Sequence, residues 1–233
     1  MGLGVNTIDV QLATVTARLA AAAAPHGRPT PSLLAVSKTH PAAAVRAAYA
    51  AGQRAFGENR VQELAAKAQE LADLPGLEWH LIGSLQTNKV RELVAVPGLR
   101  LVHSLDRPRL AEALQAELQR RGARLAVLLQ VHATEEPTKH GCPPAEVPNL
   151  LEHVRTRCPL LDVQGLMAMG PLAGDPAPVF AAVAELRDAL RTSSGLSLPI
   201  LSLGMSGDLE AAVAAGSTLV RVGSAVFGAR HNP

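Results

Sequence analysis

The chain has 233 residues, of which 48% are hydrophobic and 18% charged, with a formal net charge of +2. That is apolar material for one globular domain with a real core, and it excludes a mainly disordered chain. The small net charge removes the electrostatic ground for a nucleic acid or anionic membrane partner, and one Trp, one Tyr and three Phe leave nothing to build base-stacking platforms from.

The first expected element is a helix, in which Ile8, Leu12, Val15 and Leu19 recur on one face, Asn6 can cap the first turn, and Pro25 with Gly27 ends the segment. This Ala-rich start lacks a basic leader and is interrupted by Asp9, Gln11 and Arg18, so it does not read as a signal peptide. From there short β-rich runs alternate with stretches of helical period. Strands are expected at 32–37, 54–57, 78–82, 100–104, 125–131, 161–166, 198–203 and 218–222. Helices are expected at 41–51, 60–72, 87–94, 107–121, 144–156, 178–192 and 207–215, several opening with Pro and several closing before Gly. The longest strongly apolar run, 125–129, is too short to span a bilayer. Cys142 and Cys158 have no CxxC spacing and no His at ligand intervals, so no disulfide framework or zinc site is expected, and a reduced, cytoplasmic setting is.

Eight strand–helix units in 233 residues come to about 29 residues each, close to the roughly 30 of a (β/α) barrel of about 250 residues. The spacing predicts an α/β chain folded as a single (β/α)8 TIM-type barrel domain over 1–233, with an extra amino-terminal helix. An open doubly wound sheet is the alternative, but eight strands in series suit closure better. In such a barrel the chemistry sits at the carboxyl ends of the strands.

Read there, the lysines carry the most information. Only Lys38, Lys67, Lys89 and Lys139 occur against 18 arginines, so a lysine retained under this bias is a candidate for amine chemistry that arginine cannot perform. Lys38 ends the buried run LLAVS (33–37), which aims it at the barrel mouth, where an imine with an aldehyde competes with a snorkelling rim lysine. Lys67, beside Gln69 and Glu70, reads as part of a solvated helix face. LGMSGD (203–208) and VGS (222–224) are Gly/Ser turns at the last two βα junctions, suited to an anion or simply to tight turns. Arg221, on a buried strand, needs an acceptor, either that anion or a buried carboxylate such as Glu58. His80 is the histidine expected to face the barrel interior, with a core role favoured over catalysis. No GxxxxGK[ST], HExxH or GxSxG occurs.

The segments LAVSKT (34–39), FGENRVQE (56–63), WHLIG (79–83), LQTNK (85–89), GLMAM (165–169), LGMSGD (203–208) and GSTLVRVGSAVFG (216–228) together resemble the pyridoxal phosphate homeostasis protein family, in order and over nearly the whole chain. The resemblance implies a barrel like the amino-terminal domain of alanine racemase that holds pyridoxal 5′-phosphate as a Schiff base, with no robust catalysis and a part in balancing the cofactor and amino and keto acids. It implies Lys38 as the imine lysine, Ser206, Gly223 and Ser224 at the phosphate, Arg221 facing the pyridine nitrogen, and Asn59 and His80 lining the pocket. Lys139, in EEPTKHG (135–141), falls where relatives can carry a lysine implicated in cofactor exchange. Arg60, Ser84 and Ser224 depart from the family pattern, where an aromatic, a proline and a threonine are common.

Two functions follow as expectations. One is a non-catalytic cofactor carrier, monomeric and cytoplasmic, with apo forms of pyridoxal phosphate enzymes as possible recipients and neither nucleic acid nor membrane as a partner. The other is an amino-acid racemase or another Schiff-base enzyme on the same barrel. Relatives that racemise alanine carry a second, β-rich domain with a catalytic tyrosine, whereas this sequence ends at Pro233 and its single tyrosine, Tyr49, is expected on a helix.

Overall fold

The structure is a computed structural model and describes residues 5–134 and 140–229. Eight strands, β1 (Ser32–Val36), β2 (Ala55–Glu58), β3 (Glu78–Leu81), β4 (Leu99–Leu105), β5 (Leu125–Val131), β6 (Leu161–Ala168), β7 (Ile200–Ser202) and β8 (Leu219–Val222), pair in parallel in sequence order and close on themselves. Closure comes from β1 and β8, which set Leu34 opposite Arg221 and Ala35 opposite Val222. The helices are α1 (Val5–Ala23), α2 (Ala42–Ala50), α3 (Val61–Glu70), α4 (Val90–Val94), α5 (Pro108–Arg121), α6 (Val147–Arg157), α7 (Ala177–Ser194), α8 (Leu209–Ala214) and α9 (Ser224–Phe227). This is the (β/α)8 barrel expected from the spacing.

The extra helix α1 packs on α2, α8 and α9, and so bridges the first and last units of the barrel. Its inner face is the expected one: Ile8, Leu12, Val15 and Leu19 are all buried, and each contributes about 1.5–3 kcal/mol by leaving water. Asn6 falls within the helix instead of ahead of it. The main core lies between the strands' outer faces and the helices, where Phe56 and Trp79 on adjacent strands meet with ring centroids 6.0 Å apart. A smaller cluster of Leu101, Leu128 and Met167 forms a separate apolar patch of the core.

Several boundaries differ from the sequence expectation. β7 is three residues long, because Leu198 has a left-handed backbone (φ 38°) and Pro199 has no N–H to give a ladder. The 87–94 helix opens as a 3-10 turn at Thr87–Lys89 before α4. The single-turn α9 follows β8 without having been anticipated. The short β7 pairs with β8 at one register position, Ser202 opposite Leu219. Side chains supplement the join: Leu201 N–H donates to Thr218 Oγ1 at 2.8 Å, and the Ser217 hydroxyl donates to the Leu203 carbonyl at 2.9 Å. Among the described residues no helix is long and apolar enough to cross a membrane.

Candidate functional site

The carboxyl ends of the strands surround a cavity of about 260 Å³. Because side chains alternate along a strand, β1 and its continuation send Val36 and Lys38 into it, while Ser37 faces the helix layer. Asn59 lines it just beyond β2, Ile82 just beyond β3, and Met167 and Met169 come from β6 and the residue after it. Opposite Lys38 in sequence, the turns after β7 and β8 bring Ser206, Gly207, Gly223 and Ser224 to the same cavity. The Ser224 hydroxyl donates to Ser206 Oγ at 3.3 Å, so two hydroxyls from separate loops meet at one place. Asp208 braces the first loop, with its Oδ1 accepting the Met205 N–H at 2.5 Å.

Arg221 reaches the cavity from β8 and is otherwise buried. Its partners are not the buried carboxylate considered from the sequence. One guanidinium nitrogen donates to the Ser202 carbonyl and to Ser202 Oγ, both at 2.7 Å, and the other to the Ala168 carbonyl at 2.9 Å. Burial pulls its pKa down to about 10, opposed by the Asp208 charge, which leaves the cation intact at neutral pH. Glu58 is occupied elsewhere: its Oε1 accepts from the Ser37 hydroxyl and from Lys67 Nζ, each at 2.6 Å.

His80 needs a correction. It lies inside the barrel, but it is absent from the cavity wall and is paired with a second histidine that the sequence reading did not single out. His80 Nδ1 and His103 Nε2 are 3.0 Å apart, and His103 Nδ1 lies 3.2 Å from Ser202 Oγ. A buried polar chain therefore runs Arg221–Ser202–His103–His80. Because a guanidinium can only donate, the polarity it favours runs from Arg221 to Ser202, then to His103, then to His80. Burial and the Arg100 charge lower the His80 pKa to about 4; burial, His80 and Arg221 hold His103 well below the ordinary imidazole value. Both rings are neutral at physiological pH.

Lys67 is the second correction. It is 6% exposed and not solvated, and its ammonium bonds Glu58, Glu63 Oε1 (2.8 Å) and the Ser37 carbonyl (2.7 Å). The signal was present in the sequence, since Lys67 stands three residues after Leu64 and one before Ala68, inside the apolar stripe of α3. His40 was also missed. It lines the cavity and packs on Phe227 with centroids 5.3 Å apart.

The family departures Arg60 and Ser84 lie in a neighbouring groove with Lys89, Arg107 and His140, which shares Asn59 with the cavity. Lys89 there is paired with Glu92 at 2.9 Å. Lys139 lies outside the described residues.

Compared with known proteins, residues 10–231 match the family described as alanine racemase, N-terminal domain. A pyridoxal phosphate homeostasis protein from Pseudomonas aeruginosa is 47% identical over 227 residues, spanning 97% of this chain and 96% of that one. The PipY protein of Synechococcus elongatus, solved with PLP bound, superposes with a TM-score of 0.83 at 40% identity, covering 95% of this chain and 100% of that one. An alanine racemase from Corynebacterium glutamicum shares the fold, with a TM-score of 0.73 at 18% identity over 98% of this chain and 62% of that one.

Proposed function

The chain belongs to the alanine racemase N-terminal domain family, alongside the pyridoxal phosphate homeostasis proteins, and from that membership we propose that its cavity holds pyridoxal 5′-phosphate on Lys38 and serves cofactor balance instead of turnover. The observation that carries this reading is the convergence in one cavity of a lysine, a paired-serine turn and a buried arginine. The residues suit the group. Two hydroxyls and glycine turns are anion donors, and no carboxylate lines the cavity among the described residues.

When bound, pyridoxal phosphate supplies a reactive aldehyde and a ring able to accept electrons from a substrate carbon. Lys38 is the amine placed to take that aldehyde. Ser206, Gly207, Gly223 and Ser224 would hold the phosphate, with Asn59, Ile82, Met167 and Met169 as the remaining walls. Arg221 is fixed by two backbone carbonyls and keeps its own proton. With the pyridine nitrogen bound beside it, this fixed cation would oppose protonation there and weaken the ring as an electron sink. The chain's one tyrosine is committed elsewhere: the Tyr49 hydroxyl donates to the Pro75 carbonyl at 2.8 Å, and Arg54 stacks over its ring. Both facts favour a carrier over a racemase. In this reading the monomeric, cytoplasmic protein loads and releases cofactor for apo forms of pyridoxal phosphate enzymes, with Lys139 serving exchange.

The test is an absorption spectrum of the purified protein before and after borohydride, followed by peptide mapping. We expect a visible band that reduction abolishes and a pyridoxyl label on Lys38. Lys38→Ala should take no label and melt within a few degrees of wild type, because a rim side chain adds little to this core. A colourless protein that fails to take up added cofactor overturns the reading. Multiple turnovers with any L- or D-amino acid, lost in Lys38→Ala, transfer the protein to the enzymes.

A further inference from the structure

The segment that carries Lys38 is unusual in its backbone. Thr39, exposed and β-branched, has a left-handed φ of 67°, a conformation that such residues hold only where the surroundings impose it. The turn is closed by the His40 N–H donating to the Ser37 carbonyl at 3.1 Å. Around it lies an ion cluster in which Lys67 and Glu58 are both buried and Glu63 is half-buried.

We propose that this cluster is a positioning device for Lys38, a clamp on the two peptide groups that flank it. The Ser37 carbonyl, which belongs to the peptide before Lys38, accepts from Lys67 Nζ at 2.7 Å. The Thr39 amide, which belongs to the peptide after it, donates to Glu63 Oε1 at 2.6 Å. The same Glu63 oxygen takes the second bond of Lys67 at 2.8 Å, and the Ser37 hydroxyl donates to Glu58 Oε1 at 2.6 Å. With both peptide planes held, the φ and ψ of Lys38 are fixed, and so is the direction in which its side chain leaves the backbone.

Holding α3 on the barrel does not require these charges. Val61, Leu64 and Ala68 already dock that helix, and a buried ion pair is a poor source of stability compared with apolar packing. What the charges supply, and apolar residues could not, is directional bonding to both sides of one lysine. Glu58 illustrates the cost: burial pushes its pKa up against the pull of Lys67 and Ser37, and its Oε2 has no hydrogen-bond partner among the described residues.

The inference rests on the cavity reading only for the identity of the aldehyde, and the test separates the two. The variant is Glu63→Ala, whose side chain is 24% exposed, so that the fold should survive its removal. Three quantities are read on apo protein: exchange of the Thr39 amide by NMR, acetylation of Lys38 relative to Lys89 by mass spectrometry, and the rate of capture of added pyridoxal phosphate. We expect faster Thr39 exchange, a raised Lys38 to Lys89 labelling ratio, and capture about tenfold to hundredfold slower, the scale set by misplacing a reacting group by about an ångström. Adding Thr39→Gly should restore much of the capture rate, because glycine takes a positive φ without strain and no longer depends on the clamp. The paired change Lys67→Met with Glu58→Gln should slow capture similarly.

Unchanged capture in Glu63→Ala, or unchanged exchange of Thr39, overturns the clamp. Slower capture that merely follows a fall in melting temperature, with no recovery on Thr39→Gly, also overturns it. If wild-type protein captures no pyridoxal phosphate, the functional reading falls, and the exchange and labelling results still decide the clamp.

Discussion

Ser206 and Ser224 share one place although 18 residues separate them, their hydroxyls meeting where the phosphate site is proposed. Replacing either by Ala should weaken pyridoxal phosphate binding by about 1.5–3 kcal/mol, the scale of a hydrogen bond to a charged group. A titration with pyridoxal, which lacks the phosphate, should show no such loss; equal losses for the two ligands would mean that the turns only shape the backbone. The sequence places such residues at the barrel mouth, because they follow strand ends, but Gly and Ser there suit a tight turn as well as an anion. The position of Lys38 on the cavity wall was legible from the buried run before it, and the scarcity of lysine in an arginine-rich chain drew attention to it. The misread residues are those whose role depends on a partner distant in sequence. Lys67 meets Glu58 nine residues away and Ser37 thirty away, and His80 meets His103 on the next strand. Periodicity could have marked Lys67 as buried, but nothing in the sequence names what it bonds.

At the scale of elements, the ends of β2 and β3 are set by a close approach. A Cβ on Gly83, just after β3, would collide with the Asn59 carbonyl just after β2. Gly83→Ala should therefore force the two strand ends apart, costing about 1–3 kcal/mol as overpacking does, and should move Asn59 on the cavity wall. The check is a denaturant melt beside a cofactor titration. Stability should fall and affinity should fall with it, whereas an unchanged affinity would show that the strain relaxes away from the cavity. Strand count, order and the buried face of α1 could be read from pattern alone because the barrel repeats one unit with Gly and Pro punctuation. The extent of β7 could not. It depends on the left-handed Leu198 and on Pro199, which together cut a six-residue β-rich run to three. The single turn of α9 was likewise too short to give a periodic signal.

For the whole molecule, the buried histidine pair predicts how stability follows pH. His80 has a pKa of about 4 in the folded state against 6.5 ordinarily, and His103 is lowered as well. Between these values the unfolded chain binds protons that the folded chain refuses. The stability is thus fully present above about pH 6.5 and is lost as pH falls toward 4, by about 3 kcal/mol from His80 alone. Chemical denaturation at a series of pH values should show this acid limb, and His80→Gln should reduce it; a limb of the same size in that variant would mean that His80 does not contribute to it. The thin join between β7 and β8 has a separate consequence. The two loops that carry Ser206 and Ser224 leave the barrel on opposite sides of that join, so a phosphate held by both, as proposed above, would act as a rivet across it. Cofactor occupancy should then stabilise the protein by mass action, with the slowing of amide exchange concentrated at Leu201, Leu203 and Thr218. On the proposed reading, loading would then be visible as rigidity: exchange along this join should be faster in the empty protein than in the filled one, and equal rates in the two would show that the cofactor does not tie the two strands together.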